Sequence, residues 1–343
     1  MGFFSFTQEI AVDLGTANTI IIQNGKIVLD EPSIVALDNR TDKLVAIGEK
    51  ARQMQGKEHE HIRTVRPLRD GVIADFTAAE IMIRGMIKMI SDKKSFFATT
   101  LKMVICIPSG STEVERRAVR DSSEHAASGS EIYTIFEPMA AAIGIGLDVE
   151  APDGQMIVDI GGGTTEIAVI SLGGLVCNRS IRIAGDDLTA DIQEYMGRMH
   201  NIKVGERTAE MIKINVGSAL TELPDDEAPE DYVVDGPNRM TALPMKVPVS
   251  YQEIAHCLDK SISKMETAIL STLEQTPPEL YADIVRNGIY LTGGGALLRG
   301  LAKRFSDKTN ITFHIADDPL HSVARGTGIA LKNVDNYSFL MRT

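Results

Sequence analysis

The chain contains two copies of one short pattern, and this repeat constrains its fold more than any other feature. Residues 9–28 read EIAVDLGTANTIIIQNGKIV, and residues 156–176 read MIVDIGGGTTEIAVISLGGLV. In each copy an apolar strand reaches an Asp, small residues form a turn, and a second apolar strand continues into another tight turn. In the first copy that last turn is Asn24-Gly25, a strong type I′ hairpin signal. The repeat therefore predicts two similar domains, one in each half of the chain.

Between and after the two copies the hydrophobic periodicity is helical. Capping boxes, in which Ser or Thr precedes Glu by three positions, predict helices that begin near Thr77, Thr112 and Ser250. After Ser250, apolar residues at spacings of three and four predict one long amphipathic helix that ends before Pro277-Pro278. Strands rich in β-branched residues precede several helices. The sequence therefore predicts α/β domains whose sheets are covered by helices.

The first turn of each copy is suited to binding phosphate. Residues 13–19 (DLGTANT) and 159–165 (DIGGGTT) each follow a strand and offer successive backbone N–H groups beside small side chains. Two such turns that face each other would hold a polyphosphate from both sides. Asp13 and Asp159 would then lie at the strand ends, where Mg²⁺ needs carboxylate or water-bridged oxygen ligands. A single copy could be an ordinary Gly-rich hairpin, but two copies with matched Asp residues favour a polyphosphate site.

Charge and composition exclude several classes of function. The 343 residues include 35 Lys and Arg against 47 Asp and Glu, which gives a net charge of −12. Such a field repels polyanions, so we expect no nucleic-acid partner. The sequence has no apolar run of the roughly 18 residues that a membrane-spanning helix needs. Its first residues lack the features of a secretory signal, so we expect a cytoplasmic protein.

A third glycine-rich turn, TGGGALL at residues 292–298, follows a predicted strand. We expect it to open a helix whose N-terminus can accept a phosphate or a flat ring. The two phosphate turns, this turn, EPMAAA at 137–142 and ARGTG at 324–328 occur in one characteristic order. In that order the chain resembles the superfamily of actins, heat-shock chaperones and sugar kinases.

More narrowly, the chain resembles the MreB family of bacterial actins from about residue 9 to 333. The motifs that carry the resemblance are DLGTANT, DGVIADF (70–76), EPMAAAIG, VDIGGGTTE, GERTAEMIK (205–213) and LTGGGALLRGL. The resemblance implies an actin-like ATPase fold of two duplicated α/β domains, each with a smaller inserted subdomain. ATP or ADP, with Mg²⁺, would lie in the interdomain cleft. The implied subdomains are IA (1–34, 68–150 and 318–343), IB (35–67), IIA (151–183 and 250–317) and IIB (184–249).

The resemblance also implies which residues hold the nucleotide. The phosphates would lie between the first two turns, at Thr16, Ala17, Asn18, Gly162, Gly163 and Thr164. One wall of the ribose and adenine site would come from Glu206, Arg207, Thr208, Ala209 and Lys213. The opposite wall would come from Gly293, Gly294, Gly295 and Ala296.

Glu137 is the catalytic residue that the resemblance implies. It would orient or activate the attacking water, assisted by Thr164. This agrees with the chemistry, because phosphoryl transfer to water needs chiefly a positioned water and neutralised charge. Because Pro138 follows, Glu137 could instead be a first-turn carboxylate that the helix dipole favours.

Two phenylalanine-rich segments are candidate membrane contacts. In KKSFF at 93–97, Phe96 and Phe97 lie in a polar turn beside lysines, where the resemblance implies a membrane-insertion loop. Near the N-terminus, Phe3 and Phe4 offer a second apolar anchor. The alternative is that one phenylalanine of the loop packs beneath it.

The implied function is the formation of ATP-dependent filaments on the inner face of the cytoplasmic membrane, with slow ATP hydrolysis coupled to polymerisation. The implied partners are a second copy of the chain in paired protofilaments, membrane lipids, and RodZ, MreC and MreD. Together they would organise cell-wall synthesis and maintain rod shape. One alternative is a small-molecule kinase, which needs an acceptor site. Another is a chaperone-type ATPase, whose usual β-rich substrate domain we do not expect here.

Overall fold

Two sheets with the same topology form the framework of the computed structural model, which describes residues 7–90, 100–126 and 131–342. In chain order the strands are β1 (Thr7–Leu14), β2 (Asn18–Gln23), β3 (Lys26–Pro32), β4 (Val35–Asp38), β5 (Leu44–Ile47), β6 (Ile62–Val65), β7 (Leu68–Arg69), β8 (Val72–Ile73), β9 (Thr100–Ile107), β10 (Glu131–Phe136), β11 (Gln155–Ile160), β12 (Thr165–Ser171), β13 (Gly174–Ile181), β14 (Tyr232–Pro237), β15 (Pro244–Val249), β16 (Ile289–Thr292), β17 (Phe313–Ile315) and β18 (Met341–Arg342). The helices are α1 (Glu49–Arg52), α2 (Phe76–Ile90), α3 (Glu113–Ala126), α4 (Glu137–Gly144), α5 (Gly185–Met199), α6 (Glu206–Val216), α7 (Tyr251–Gln275), α8 (Pro278–Asn287), α9 (Leu301–Thr309) and α10 (Ser322–Lys332). Short 3₁₀ helices lie at Gly294–Leu297 and Pro319–His321.

The strand order repeats between the two domains. The first sheet has the order β18-β10-β9-β1-β2-β3, and the second has the order β13-β12-β11-β16-β17. In the first sheet β1, β9 and β10 are parallel while β2 and β3 are antiparallel. In the second sheet β11, β16 and β17 are parallel while β12 and β13 are antiparallel. Strand for strand, β1, β2, β3, β9 and β10 correspond to β11, β12, β13, β16 and β17. The predicted duplication of an α/β domain is confirmed.

Each domain carries a smaller lobe. In the first domain, β4, β5, α1 and β6 follow β3, and they form a three-stranded sheet with one short helix. In the second domain, α5, α6 and the β14-β15 hairpin lie between β13 and α7. We retain 35–67 and 184–249 as the proposed bounds of these lobes, within the subdomain division given above.

A shared layer of two helices, α4 and α10, joins the domains. Its apolar cluster combines residues of the first sheet, such as Val104, with residues of the second sheet, such as Ile157. The helices cross at two glycines, because a Cβ on Gly326 would overlap the carbonyl oxygen of Ala140 and one on Gly144 would overlap Ser322. Only glycine permits backbones to approach so closely.

Two of the three predicted helix starts have the predicted capping contacts. The side chains of Thr112 and Ser250 accept from the N–H groups of Glu115 and Glu253, respectively. After Ser250, the predicted long amphipathic helix is α7. The third prediction was wrong by two residues, because Asp75 supplies the cap instead of Thr77 and the helix begins at Phe76.

No helix in the described ranges is long and apolar enough to cross a membrane. The predicted membrane contacts Phe3, Phe4, Phe96 and Phe97 lie outside the residues that the structure describes.

Replacing Gly326 by Ala should destabilise the protein, because the added methyl group overlaps the backbone of α4. Overpacking of this kind costs roughly 2–3 kcal/mol. Urea unfolding followed by circular dichroism would measure the loss. The matched control is Gly205→Ala, where a Cβ has no neighbour within 4 Å. Equal unfolding midpoints for the two variants would contradict the packing of the two helices described here.

Candidate functional site

The two predicted phosphate turns lie in direct contact. A Cβ on Gly162 would lie 2.8 Å from the Cβ of Ala17, and one on Gly163 would lie 2.7 Å from the hydroxyl of Thr16. Any larger side chain at either glycine would push the turns apart. The structure therefore brings the ends of β1 and β11 together, with the small residues that such an approach requires.

Hydrogen bonds fix the first turn within its own domain. The hydroxyl of Ser33 donates to the carbonyl of Gly15 over 2.6 Å, and its N–H donates to the carbonyl of Ala17. The hydroxyl of Thr16 accepts from the N–H of Gly71 over 3.1 Å. The turn is therefore held by the strand β3 on one side and by the β7-β8 hairpin on the other. The neighbouring Asn18 donates its side-chain amide to Asp30.

The second turn is attached to the beginning of α5. The carbonyls of Gly161 and Gly162 accept from the N–H groups of Gly185 and Asp186, over 3.1 and 2.8 Å. These two hydrogen bonds fix the position of the turn relative to α5. Thr164 is buried by the hairpin that contains Gly71, since a Cβ on that glycine would lie 2.7 Å from its methyl group.

Asp13 and Asp159 lie at the ends of the central strands. The thiol of Cys106 donates to Asp13 over 3.0 Å, and the hydroxyl of Thr292 donates to Asp159 over 2.8 Å. Burial raises the pKa of Asp13 to about 6, although the Cys106 thiol lowers it in part. Burial raises the pKa of Asp159 to about 7, and the nearby charge of Asp13 adds to the effect.

Two glutamates extend this acidic cluster. Glu137 is the first residue of α4, and burial, followed by the charge of Glu166, raises the pKa of Glu137 well above its usual range. Glu166, in β12, is 0% exposed, and burial raises its pKa as well. Among the described residues, His321 is a potentially cationic group that acts on this cluster, and it partly lowers the pKa of Asp13.

The four carboxylates suit a magnesium ion that also binds phosphate. Among the described residues, no three His, Cys, Asp or Glu side chains are arranged to hold a metal by themselves. Mg²⁺ rarely uses such cages, because it keeps several waters and binds through one or two carboxylates and substrate phosphates. Asp13 and Asp159 fit that chemistry, and the ion would supply positive charge beside the four carboxylates.

The third glycine turn also contacts the end of β11. A Cβ on Gly293 would lie 2.6 Å from a carboxylate oxygen of Asp159, and Gly295 packs against Ile160. The expected helix start is wrong, because Gly294–Leu297 is a 3₁₀ turn and α9 begins only at Leu301. Gly300, at a φ of 72°, separates the two. The turn therefore offers backbone groups and a flat surface, without the N-terminus of an α-helix.

The predicted ribose and adenine residues lie along α6. Lys213 donates to the carbonyl of Gly185 over 2.8 Å, which links it to the helix start that holds the second turn. Arg207 is exposed and Thr208 half-buried, whereas Ala209 is fully buried. In the opposite wall, Ala296 is also fully buried. Both alanines can therefore shape the site only by their volume or through their backbone.

Sequence reasoning missed an ionic bridge between the two domains. Arg66, from the first domain, pairs with Asp186 over 2.6 Å and with Glu206 over 2.7 Å. It also donates to the carbonyl of Thr16, and Gln55 donates to Glu206 over 3.0 Å. Glu206, predicted to face the ribose, is therefore engaged with the first domain. A single arginine in the sequence does not indicate that its side chain bridges two domains.

The class of protein follows from comparison with solved structures. The chain superposes on MreB5 of Spiroplasma citri bound to AMPPNP with a TM-score of 0.87 and 38% identity, covering 97% of this chain and 98% of that one. A structure described as the MamK double helical filament gives a TM-score of 0.77 at 19% identity, covering 96% and 99%. The fold is that of the actin-like proteins, as predicted.

The particular family follows from sequence. The family model described as MreB/Mbl protein matches residues 7–338, and the chain belongs to this family. It is 44% identical over 331 residues to the cell shape-determining protein Mbl of Bacillus cereus, covering 96% of this chain and 97% of the relative. It is 44% identical over 337 residues to the cell shape-determining protein MreB of Escherichia coli, covering 96% and 95%. The resemblance stated from the motifs is confirmed.

Replacing Asp159 by Asn should stabilise the nucleotide-free protein at high pH. The pKa of this carboxylate is 3.8 in the unfolded chain and about 7 in the folded protein. The free energy of unfolding therefore falls as the pH rises through this range. Asparagine has no such loss and still accepts from Thr292. Between pH 5 and pH 8 the free energy of unfolding of the variant should therefore rise, relative to that of wild type, by up to about 3 kcal/mol, since one pKa unit corresponds to about 1.4 kcal/mol.

Urea unfolding of both proteins at the two pH values measures this difference. The control is Asp235→Asn, at a carboxylate whose side chain is 68% exposed. If the Asp159 variant gains no more stability relative to wild type between pH 5 and pH 8 than this control does, ionisation of Asp159 costs the folded protein little free energy. That result would contradict the site described here.

Proposed function

We propose that this chain is an ATP-binding, filament-forming protein of the bacterial cell-shape cytoskeleton. The observation that carries the proposal is the meeting of three glycine-rich turns and four buried or half-buried carboxylates in one interdomain cleft. Support also comes from relatives, because MreB5 of Spiroplasma citri is described as bound to AMPPNP and to ADP. The curated relatives MreB and Mbl are named cell shape-determining proteins.

The phosphates would lie between the first two turns, at residues 16–18 and 162–164. Mg²⁺ would bind Asp13 and Asp159 directly or through water, and it would balance the charge of the carboxylates and the phosphates together. The ribose and adenine would lie between residues 206–213 and 293–296. Since Arg66 bridges to Asp186 and Glu206 across the cleft, nucleotide entry requires that bridge to open.

Glu137 would act on the attacking water, with Thr164 beside the terminal phosphate. Its position supports this role, because it begins α4 at the acidic cluster and lies close enough to Glu166 and Asp159 for their charges to raise its pKa. A carboxylate that merely favoured the helix dipole would gain little from burial beside three other acids. We therefore prefer the hydrolytic role to the purely structural one.

Glu137→Gln should bind Mg-ATP normally and hydrolyse it slowly. Loss of a general base or positioning group costs roughly 10² to 10⁴ in rate. Phosphate release from sedimented filaments would measure the rate, and filaments should persist longer in ATP. Glu150→Gln, at an exposed position, is the control. Normal release by the Glu137 variant would leave Glu137 a helix-start residue. Phosphate transfer to a small molecule would instead indicate the kinase alternative.

Self-association into paired protofilaments is supported by the MamK filament's shared fold and by exposed apolar side chains. In the smaller lobe of the second domain, Met240 and Leu243 are 85% and 65% exposed beside the β14-β15 hairpin. Large apolar side chains that are exposed together are typical of protein interfaces. A second copy of the chain would cover them in a filament.

Attachment to the inner face of the cytoplasmic membrane would use both phenylalanine-rich segments. The parallel strands β1 and β9 are neighbours inside the first sheet, and Thr7 at the start of one is paired with Thr100 at the start of the other. Lys102 is near the same end of these strands, 3.9 Å from Glu9. Both anchors would therefore reach one surface. Membrane lipids, RodZ, MreC and MreD remain the proposed partners in cell-wall synthesis and rod shape.

Phe96→Ser combined with Phe97→Ser should reduce filament binding to anionic liposomes without affecting ATP binding. Burying one Phe contributes roughly 1.5–3 kcal/mol, so one subunit binds weakly, while many subunits in a filament add their contacts. Liposome sedimentation should compare this variant, a deletion of residues 2–6, and both together. The control is Leu172→Ser, at an apolar side chain that is 73% exposed elsewhere. Sedimentation at the wild-type level by all three would exclude both anchors.

A further inference from the structure

Glu166 lies in a row of three polar residues that crosses the second sheet. Asp159 of β11 is paired with Glu166 of β12, and Glu166 is paired with Ser180 of β13. Residues paired directly in antiparallel strands have their side chains on the same face of the sheet. The three side chains therefore lie together on one face.

The first domain has the same three positions, with the same residue type at the first and different residues at the other two. There Asp13 is paired with Ile20, and Ile20 with Asp30. Ile20 and Glu166 are both buried, at 5% and 0% exposure. An apolar side chain satisfies the core at this position, whereas a buried carboxylate is costly unless it is bound or used. The second domain therefore has a carboxylate that packing alone does not require.

Both oxygens of Glu166 are held by hydrogen bonds, and one of its partners belongs to the first domain. Ser109, in the loop after β9, donates its N–H over 2.9 Å and its hydroxyl over 2.5 Å to Oε2. Ser180 donates its hydroxyl to Oε1 over 2.5 Å. The loop and the strand are tightly packed, since a Cβ on Gly110 would lie 2.8 Å from the Cβ of Ser180. Two of the three hydrogen bonds therefore exist only while the domains are closed.

We propose that Glu166 is a positioning residue for Glu137, and that Ser109 makes this positioning depend on domain closure. The inference rests on the hydrolytic role proposed above for Glu137. The helix α4, which begins with Glu137, packs against β12, which carries Glu166. A carboxylate held in place at Glu166 disfavours rotamers that bring the Glu137 carboxylate closer, which leaves Glu137 directed towards the phosphate turns. Opening of the domains removes the donors of Ser109 and frees Glu166. ATP hydrolysis is then confined to the closed state.

The test compares Glu166→Gln, Ser109→Ala, Glu137→Gln and the double Glu166→Gln/Glu137→Gln variant of the full chain. Calorimetry gives the dissociation constant for Mg-ATP, and phosphate release gives the hydrolysis rate. The Glu166 and Ser109 variants should bind Mg-ATP as wild type does. They should hydrolyse it roughly 10- to 100-fold more slowly, which is the usual effect of losing a residue that orients a functional side chain. In the Glu137→Gln background, Glu166→Gln should have no further effect, because it acts through Glu137.

Ser261→Ala is a matched control. It removes a buried hydroxyl, away from the cleft, that donates to Asp191 over 2.5 Å, as the Ser109 hydroxyl does to Glu166. It should change neither the dissociation constant for Mg-ATP nor the hydrolysis rate. Full hydrolysis by the Glu166 or Ser109 variant would overturn the inference. Weakened Mg-ATP binding by either, or additive slowing in the double variant, would also overturn it. Full hydrolysis by Glu137→Gln alone would overturn the proposed function and, with it, this inference.

Discussion

Four carboxylates lie together where the two sheets meet, with Asp159 and Glu166 buried and Asp13 and Glu137 half-buried. Bringing like charges together out of water opposes their ionisation, so each of these groups holds its proton to a higher pH than a free carboxyl does. Mg²⁺ with a nucleotide, the ligand proposed above, would lower this cost, because the ion would neutralise carboxylates and phosphates at once. Binding of the proposed ligand would therefore favour ionisation of the cluster.

The shared layer of α4 and α10 connects this chemistry to the relative position of the domains. Glu137 begins α4, and the other end of that helix crosses α10 at Gly144 and Gly326. The same layer packs on both sheets. A change in the angle between the domains must therefore move or strain the helix that carries Glu137. At the cleft mouth, Arg66 closes the same gap through its pairs with Asp186 and Glu206.

Local sequence patterns predicted most of the framework. The repeat around Asp13 and Asp159 predicted the duplicated sheets, and local capping contacts predicted the starts of α3 and α7. The errors were also local, since Asp75 caps the helix near Thr77 and a 3₁₀ turn replaces the expected helix at Gly294. The roles of Glu166, Ser109 and Arg66 could not be predicted, because each depends on contacts between residues more than 50 positions apart. A glutamate in the apolar strand TEIAVIS was the one available signal.

Calorimetric titration of the nucleotide-free protein with ATP measures whether nucleotide binding depends on the cation. It should be run with Mg²⁺ and with EDTA, each in two buffers of different ionisation enthalpy, near pH 6.5. If the buried carboxylates require the cation, ATP binds tightly only with Mg²⁺, and protons are released on binding because the ion lowers the pKa values of Asp13 and Asp159. Equal affinity in EDTA, with no proton release in either condition, would contradict the account.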